Sequence, residues 1–158
     1  MNFEKENFLR TKFIPVLQRL DPATPPRWGK MNVQQMIEHF AEMFRWANGK
    51  IKHEKVLTKP DQLQAFRDFM MSERLFKENT KNKLMGEEPE PVKHITVQAA
   101  IGELHEEIIH FFEVFEKDPE LKVRNPFFGD LNFDESIQLL HKHALHHLRQ
   151  FGMELFNV

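Results

Sequence analysis

The stretch Asn132-Phe133-Asp134-Glu135-Ser136-Ile137-Gln138-Leu139-Leu140-His141-Lys142-His143-Ala144-Leu145-His146-His147-Leu148-Arg149-Gln150-Phe151-Gly152 decides the fold. Ile137, Leu140, Ala144, Leu148 and Phe151 recur at helical spacing, and Leu155 continues the stripe. This predicts an amphipathic helix reaching about Leu155. Asn132 is a good N-cap, and Glu135 three residues later completes a capping box. A helix turns by about 100° per residue, so each side chain can be placed around its axis. His147 falls at the border of the apolar stripe. His143 lies one turn earlier on the same border, and Gln150 falls on the same strip. His146 points well away from the core and His141 lies on the opposite flank, so both are expected to face solvent.

Upstream, Asn125-Pro126-Phe127-Phe128-Gly129-Asp130 reads as a tight aromatic turn. Before it, Ile101, Leu104, Ile108, Phe111, Phe112 and Phe115 mark a helix from about Val97 to Glu116, stopped by Asp118-Pro119. Residues 79–95, with Gly86, Pro89 and Pro91, form an irregular connection of a length that is usually functional or mobile. Another helix opens near Pro60 and keeps its period through Leu63, Phe66 and Met70. The second helix of the chain follows Asn32, with Gln35 completing a capping box and Met31 and Met36 placed as a staple. Met36, Ile37, Phe40, Phe44 and Ala47 form its apolar face, and Asn48-Gly49 ends it. The first helix spans about Phe3 to Leu20 and stops at Asp21-Pro22 and Pro25-Pro26. No segment alternates as a strand does. The chain therefore reads as one all-α domain over residues 1–158, a four-helix bundle with an extra helix in its long connection.

The composition agrees. A chain of 158 residues has the size of one domain, and 41% hydrophobic with 29% charged residues is globular. There is no cysteine, which excludes disulfides, Cys-based zinc sites and thiol nucleophiles. No apolar run has the length of a signal peptide or a membrane span, so a cytoplasmic protein without a membrane partner is expected. The net charge is −2 and the basic residues are scattered among acids, which gives no footprint for nucleic acid. The oddity is histidine: nine in all, four of them between positions 141 and 147.

On the second helix His39 sits at the edge of the core stripe, flanked by Met43 and Trp46. If the two helix edges meet, His39, His143 and His147 converge. Two histidines at i, i+4 can bind one ion, as on the helices of zinc peptidases. A third from another helix leaves a coordination position open, which is the catalytic pattern. Such an ion lowers the pKa of its water and polarises a substrate oxygen or sulfur. The expected pocket is lined by Trp46 and Met43, with Gln150 near the vacant position and a mouth near 79–95. Taken singly, an i, i+4 pair on a surface helix is commonplace, and a lone histidine on an apolar face is more often a hydrogen-bonded core residue. His105 borders the core of its helix and is the best substitute ligand. With Glu107 it is also the candidate fourth ligand of a closed site. His53, His94 and His110 read as loop or surface residues. A ferritin-like di-iron site needs two Glu-x-x-His motifs and further Glu ligands. Glu107-Ile108-Ile109-His110 is the one match, and its His110 points outward. No general base is found, since Glu38 points off the His39 strip and Glu42 lies farther still.

Three stretches resemble the DinB/YfiT-like superfamily of small bacterial helical bundles: Pro26-Arg27-Trp28-Gly29-Lys30-Met31 leading into Gln35-Met36-Ile37-Glu38-His39, then Asn125-Pro126-Phe127-Phe128-Gly129, then His143 to Gly152. The resemblance covers most of the chain. It implies an up-down-down-up bundle and a divalent metal, zinc or nickel, on His39, His143 and His147. It also implies a metal-dependent hydrolase or a thiol-dependent transferase, acting on a small molecule with a low-molecular-weight thiol. Residues 50–95 match nothing in it, so no substrate is implied. The alternative is a non-catalytic metal- or small-ligand-binding bundle, as a homodimer, favoured by the missing general base.

Overall fold

The structure is a computed structural model that describes residues 2–80 and 88–154. Its elements are α1 (Phe3–Asn7), a π-helical turn (Phe8–Lys12), α2 (Phe13–Arg19), α3 (Val33–Ala47), α4 (Pro60–Met71), α5 (Val97–Lys117), β1 (Val123–Asn125), β2 (Gly129–Leu131) and α6 (Phe133–Gln150). The fold is mainly helical, with one small antiparallel sheet among the described residues.

Local chemistry sets the helix starts. The Asn32 side chain accepts from the Gln35 N–H at 2.8 Å while the Gln35 side chain accepts from the Asn32 N–H at 2.9 Å. The same reciprocal pair, at 2.9 Å each way, opens α6 between Asn132 and Glu135. Pro60 begins α4 at a position where its missing N–H has no helical partner to lose. Thr96 caps α5 by accepting from the Ala99 N–H at 3.1 Å, a cap that the apolar period alone did not mark.

Three expectations are corrected. The first helix is not uniform. Pro15 cannot donate to the carbonyl four residues earlier, and the backbone takes a π-helical turn just before it. The Thr11 hydroxyl donates to the Asn7 carbonyl there, at 2.9 Å. Strands are also present: Val123 pairs with Leu131 and Asn125 with Gly129 around the aromatic turn. Asn125 Oδ1 shapes that turn by accepting from the N–H groups of Phe127 and Phe128 at 2.8 and 3.1 Å. Finally, the last helix ends at Gln150 and not near Leu155, which lies outside the described residues. Gly152, at φ +80°, closes it. The Met153 N–H donates to the Leu148 carbonyl at 2.8 Å and the Gly152 N–H to the Arg149 carbonyl at 3.0 Å, the Schellman pattern.

Of the 79–95 connection, residues 81–87, Gly86 among them, lie outside the described residues. Residues 88–95 contain no regular element up to the start of α5. Polar side chains of α3 hold them. Glu38 accepts from the N–H groups of Lys93 and His94 at 2.7 and 3.0 Å, and Gln34 donates to the His94 carbonyl at 2.7 Å.

The core is rich in phenylalanine. Phe8, Phe13, Phe40, Phe44 and Phe111 are fully buried, together with Leu17, Met36, Ile37 and Leu104. The most extensive helix pairing is α3 on α5, while α6 touches α1, the π-helical turn, α3, α4 and β2. Among the described residues no helix is long and apolar enough to cross a membrane.

Candidate metal centre

The edges of α3 and α6 meet, and His39, His143 and His147 come together. The Nε2 atoms of His39 and His143 lie 3.2 Å apart, and those of His143 and His147 lie 2.9 Å apart. One ligand atom from each of the three falls within 4.8 Å of the others. His147 is buried, while His39 and His143 are half-buried and line a cavity of about 720 Å³.

Hydrogen bonds fix the protonation of one ring. The Gln150 Nε2 donates to the Trp28 carbonyl at 2.9 Å. A carbonyl needs a donor, so the amide oxygen of Gln150 must face His147, where it lies 2.8 Å from Nδ1. That oxygen can only accept. His147 therefore carries its proton on Nδ1 and turns the lone pair of Nε2 toward the other two histidines. Gly29 permits the approach. Its φ is +74°, and a Cβ there would sit 3.1 Å from Gln150 Nε2.

Protons alone cannot satisfy the three rings. A neutral imidazole nitrogen holds either one proton or one lone pair. With a lone pair on His147, His143 Nε2 can donate to His147 or accept from His39, but not both. One of the two close N···N contacts is then left without a proton between its atoms. A cation accepts all three lone pairs at once. Nitrogens bound tetrahedrally at about 2.0–2.1 Å lie about 3.3–3.4 Å apart, close to the spacing seen here. The three histidines could therefore form a metal site.

Electrostatics point the same way. Burial pushes His39 down to about 4, with the neighbouring His146 adding to the effect. Burial, then the neighbouring histidines, hold His143 and His147 well below the ordinary histidine value. All three are neutral at neutral pH, the state that metal binding requires.

Met43, Trp46 and Gln150 all line the cavity. The Gln150 amide is engaged at both ends, by His147 and Trp28, so its place is behind the His147 ring. Two other expectations fail. His141 and His146 are not solvent-facing; each is 6% exposed. Phe8 meets His141 edge-on at 5.3 Å, and Trp28 and Phe76 cover His146 at 5.4 and 5.8 Å. The 100° rule located one buried face, but α6 is covered on several sides. His105 is exposed and cannot substitute as a ligand. Glu107 is buried but paired with Arg45, Asn48 and Lys50, so it does not close the sphere. His53 is half-buried against Trp46, with ring centres 4.4 Å apart, and His94 pairs with Glu103. His110 is half-buried and sits 4.0 Å from Glu113.

Sequence reasoning missed the loop 27–30 as part of the centre. The signal was present in Trp28-Gly29, a glycine beside a large side chain just before a helix. Nothing in the sequence says that its carbonyl reaches Gln150. No family model, curated protein or solved structure matches the chain.

Proposed function

We propose that this chain is a metal-dependent enzyme, a hydrolase or a thiol-dependent S-transferase of the DinB/YfiT-like kind, built as an up-down-down-up four-helix bundle. The observation that carries the proposal is the convergence of His39, His143 and His147, with only neutral nitrogen offered, on the wall of a large cavity. Three ligands leave a divalent ion, zinc or nickel, with a position for an exchangeable group. When bound, that ion supplies Lewis acidity, which acidifies a water or thiol and polarises a substrate oxygen or sulfur. The chain's own residues set the stage. Gln150 fixes the His147 tautomer, and the loop at Trp28 and Gly29 fixes Gln150. Met43 and Trp46 line the approach to the vacant position.

A non-catalytic metal-binding bundle is the second reading, and one observation favours it. Among the described residues no carboxylate joins the three histidines in a ligand cluster. Glu38 is engaged by the backbone of Lys93 and His94, and Glu107 by cations. Cobalt substitution separates the two readings. An open position predicts that azide or a small thiol changes the visible spectrum. A thiolate-to-cobalt charge-transfer band would favour the transferase over the hydrolase. A spectrum that responds to neither thiol, azide nor pH rules out the enzyme and leaves the binding module.

A further inference from the structure

The cavity continues well beyond the three histidines. Along α3, Met43 and Trp46 follow His39 at one and two turns, and all three line it. Along α6, Leu140, Leu139 and Ser136 precede His143 on the same wall. Seven residues at 1.5 Å each carry the Trp46 end about 10 Å from His39. Phe127 and Phe128 of the hairpin turn line it too. Phe76 stands beside the histidines, its ring 6.1 Å from that of His143.

Size and charge together limit the occupant. A water occupies about 30 Å³ of liquid, so a cavity of about 720 Å³ far exceeds the needs of an ion with a water or a small thiol. It matches pockets that enclose a drug-sized molecule. The charged lining residues, Lys30, Lys59, Glu88, Glu90 and Arg124, are all exposed and so form the rim. Lys30 pairs with Glu88 and Arg124 with Asp130. Inside the rim the walls are mostly aromatic, aliphatic or histidine, and the polar side chains among them, Thr58, Asn125, Ser136 and Gln150, are uncharged. A charged body would lose its hydration there without a partner.

We infer that the substrate carries an extended, uncharged alkyl or aryl body that lies along the groove between α3 and α6, with its polar reacting group at His39, His143 and His147. This rests on the metal-dependent reading above and names the substrate class for it. Both tryptophans of the chain, Trp28 and Trp46, line the cavity, so intrinsic fluorescence reports its occupancy. The experiment titrates cobalt-loaded protein with straight-chain hydroxamates from acetohydroxamate to octanohydroxamate, following the cobalt spectrum and the tryptophan emission together. Affinity is expected to rise about three- to fourfold per added methylene, with both signals changing. Leu139→Asn should flatten that rise while leaving acetohydroxamate binding in place. A cobalt response whose affinity is independent of chain length overturns the inference and leaves the metal-dependent reading standing. Chain-length dependence in the tryptophan signal with an unchanged cobalt spectrum leaves only the apolar groove and overturns both the metal-dependent reading and the placement of the polar group at the histidines.

Discussion

The Trp28 carbonyl influences the three-histidine centre through two hydrogen bonds, first to Gln150 and then to His147. Removing the middle member should therefore weaken metal binding without removing a ligand. Gln150→Leu is expected to cost about 10–100-fold in metal affinity, the usual effect of losing such a partner. Gly29→Ala should act in the same direction, because it crowds Gln150 and places alanine at φ +74°. Competition with a chelator measures both; unchanged affinity in Gln150→Leu would contradict the role given to the amide. The buried histidines also predict how stability depends on pH. Burial holds His39, His141 and His146 at about 4, and His143 and His147 well below the ordinary value. Above about pH 6.5 these groups are neutral in the folded and unfolded chain alike. As the pH falls below that, the unfolded chain takes up protons that the folded one cannot, and stability is lost down through about pH 4. The melting temperature of metal-free protein should fall steadily over that window. His141→Phe, which removes one of these groups that is not among the three converging histidines, should make the slope shallower. At this scale the sequence was partly legible. The convergence of His39, His143 and His147 was legible because each lies at the edge of a clear apolar stripe. His141 and His146 were misplaced because Phe8, Phe76 and Trp28 reach α6 from distant parts of the chain, and periodicity within one helix carries no trace of them.

At the scale of elements, α6 is defined by its two ends. The Asn132 and Glu135 capping box starts it, and Gly152 stops it two residues past Gln150. Asn132→Ala removes an acceptor for the Glu135 N–H and should cost about 1 kcal/mol, within the usual range of 0.5–2 kcal/mol. Denaturant melts of the variant and parent check this; a loss below a few tenths of a kcal/mol would show that tertiary contacts alone hold the start of α6. Capping chemistry made the starts of α3 and α6 readable, since it is local and encoded within four residues. The hairpin was not readable, because strands of three residues are too short to show alternation. Its turn was visible in Asn125 and Gly129, but the pairing of Val123 with Leu131 depends on the packing of Leu131 beside Met70 and Phe128. The π-helical turn escaped for a related reason. The apolar stripe of Leu9, Phe13, Val16 and Leu17 continues through it, and Pro15 was the one sign of a break.

For the whole molecule, an ion held between α3 and α6 ties together two helices that are far apart in sequence. Such an ion binds the folded chain and finds no preformed site in the unfolded one. At a free concentration 100-fold above its Kd it should add about 2.7 kcal/mol of stability. Zinc or nickel should therefore raise the Tm of the parent in a concentration-dependent way and leave that of His143→Ala almost unchanged. A parent Tm that ignores both ions would count against a site in the folded state. The mainly helical architecture was legible because its helices carry strong apolar periods. The cavity was not, because its walls come from α3, α4, α6, the hairpin and the segment around Phe76.

The most direct test of the account is the metal content of tag-free protein, purified without chelator and compared with His147→Ala and His146→Ala prepared alongside. The account predicts one divalent ion per chain in the parent, loss of the ion in His147→Ala and its retention in His146→Ala. A parent that carries no ion and takes up none from zinc or nickel at micromolar concentration, or a His147→Ala variant that keeps its ion, would contradict it.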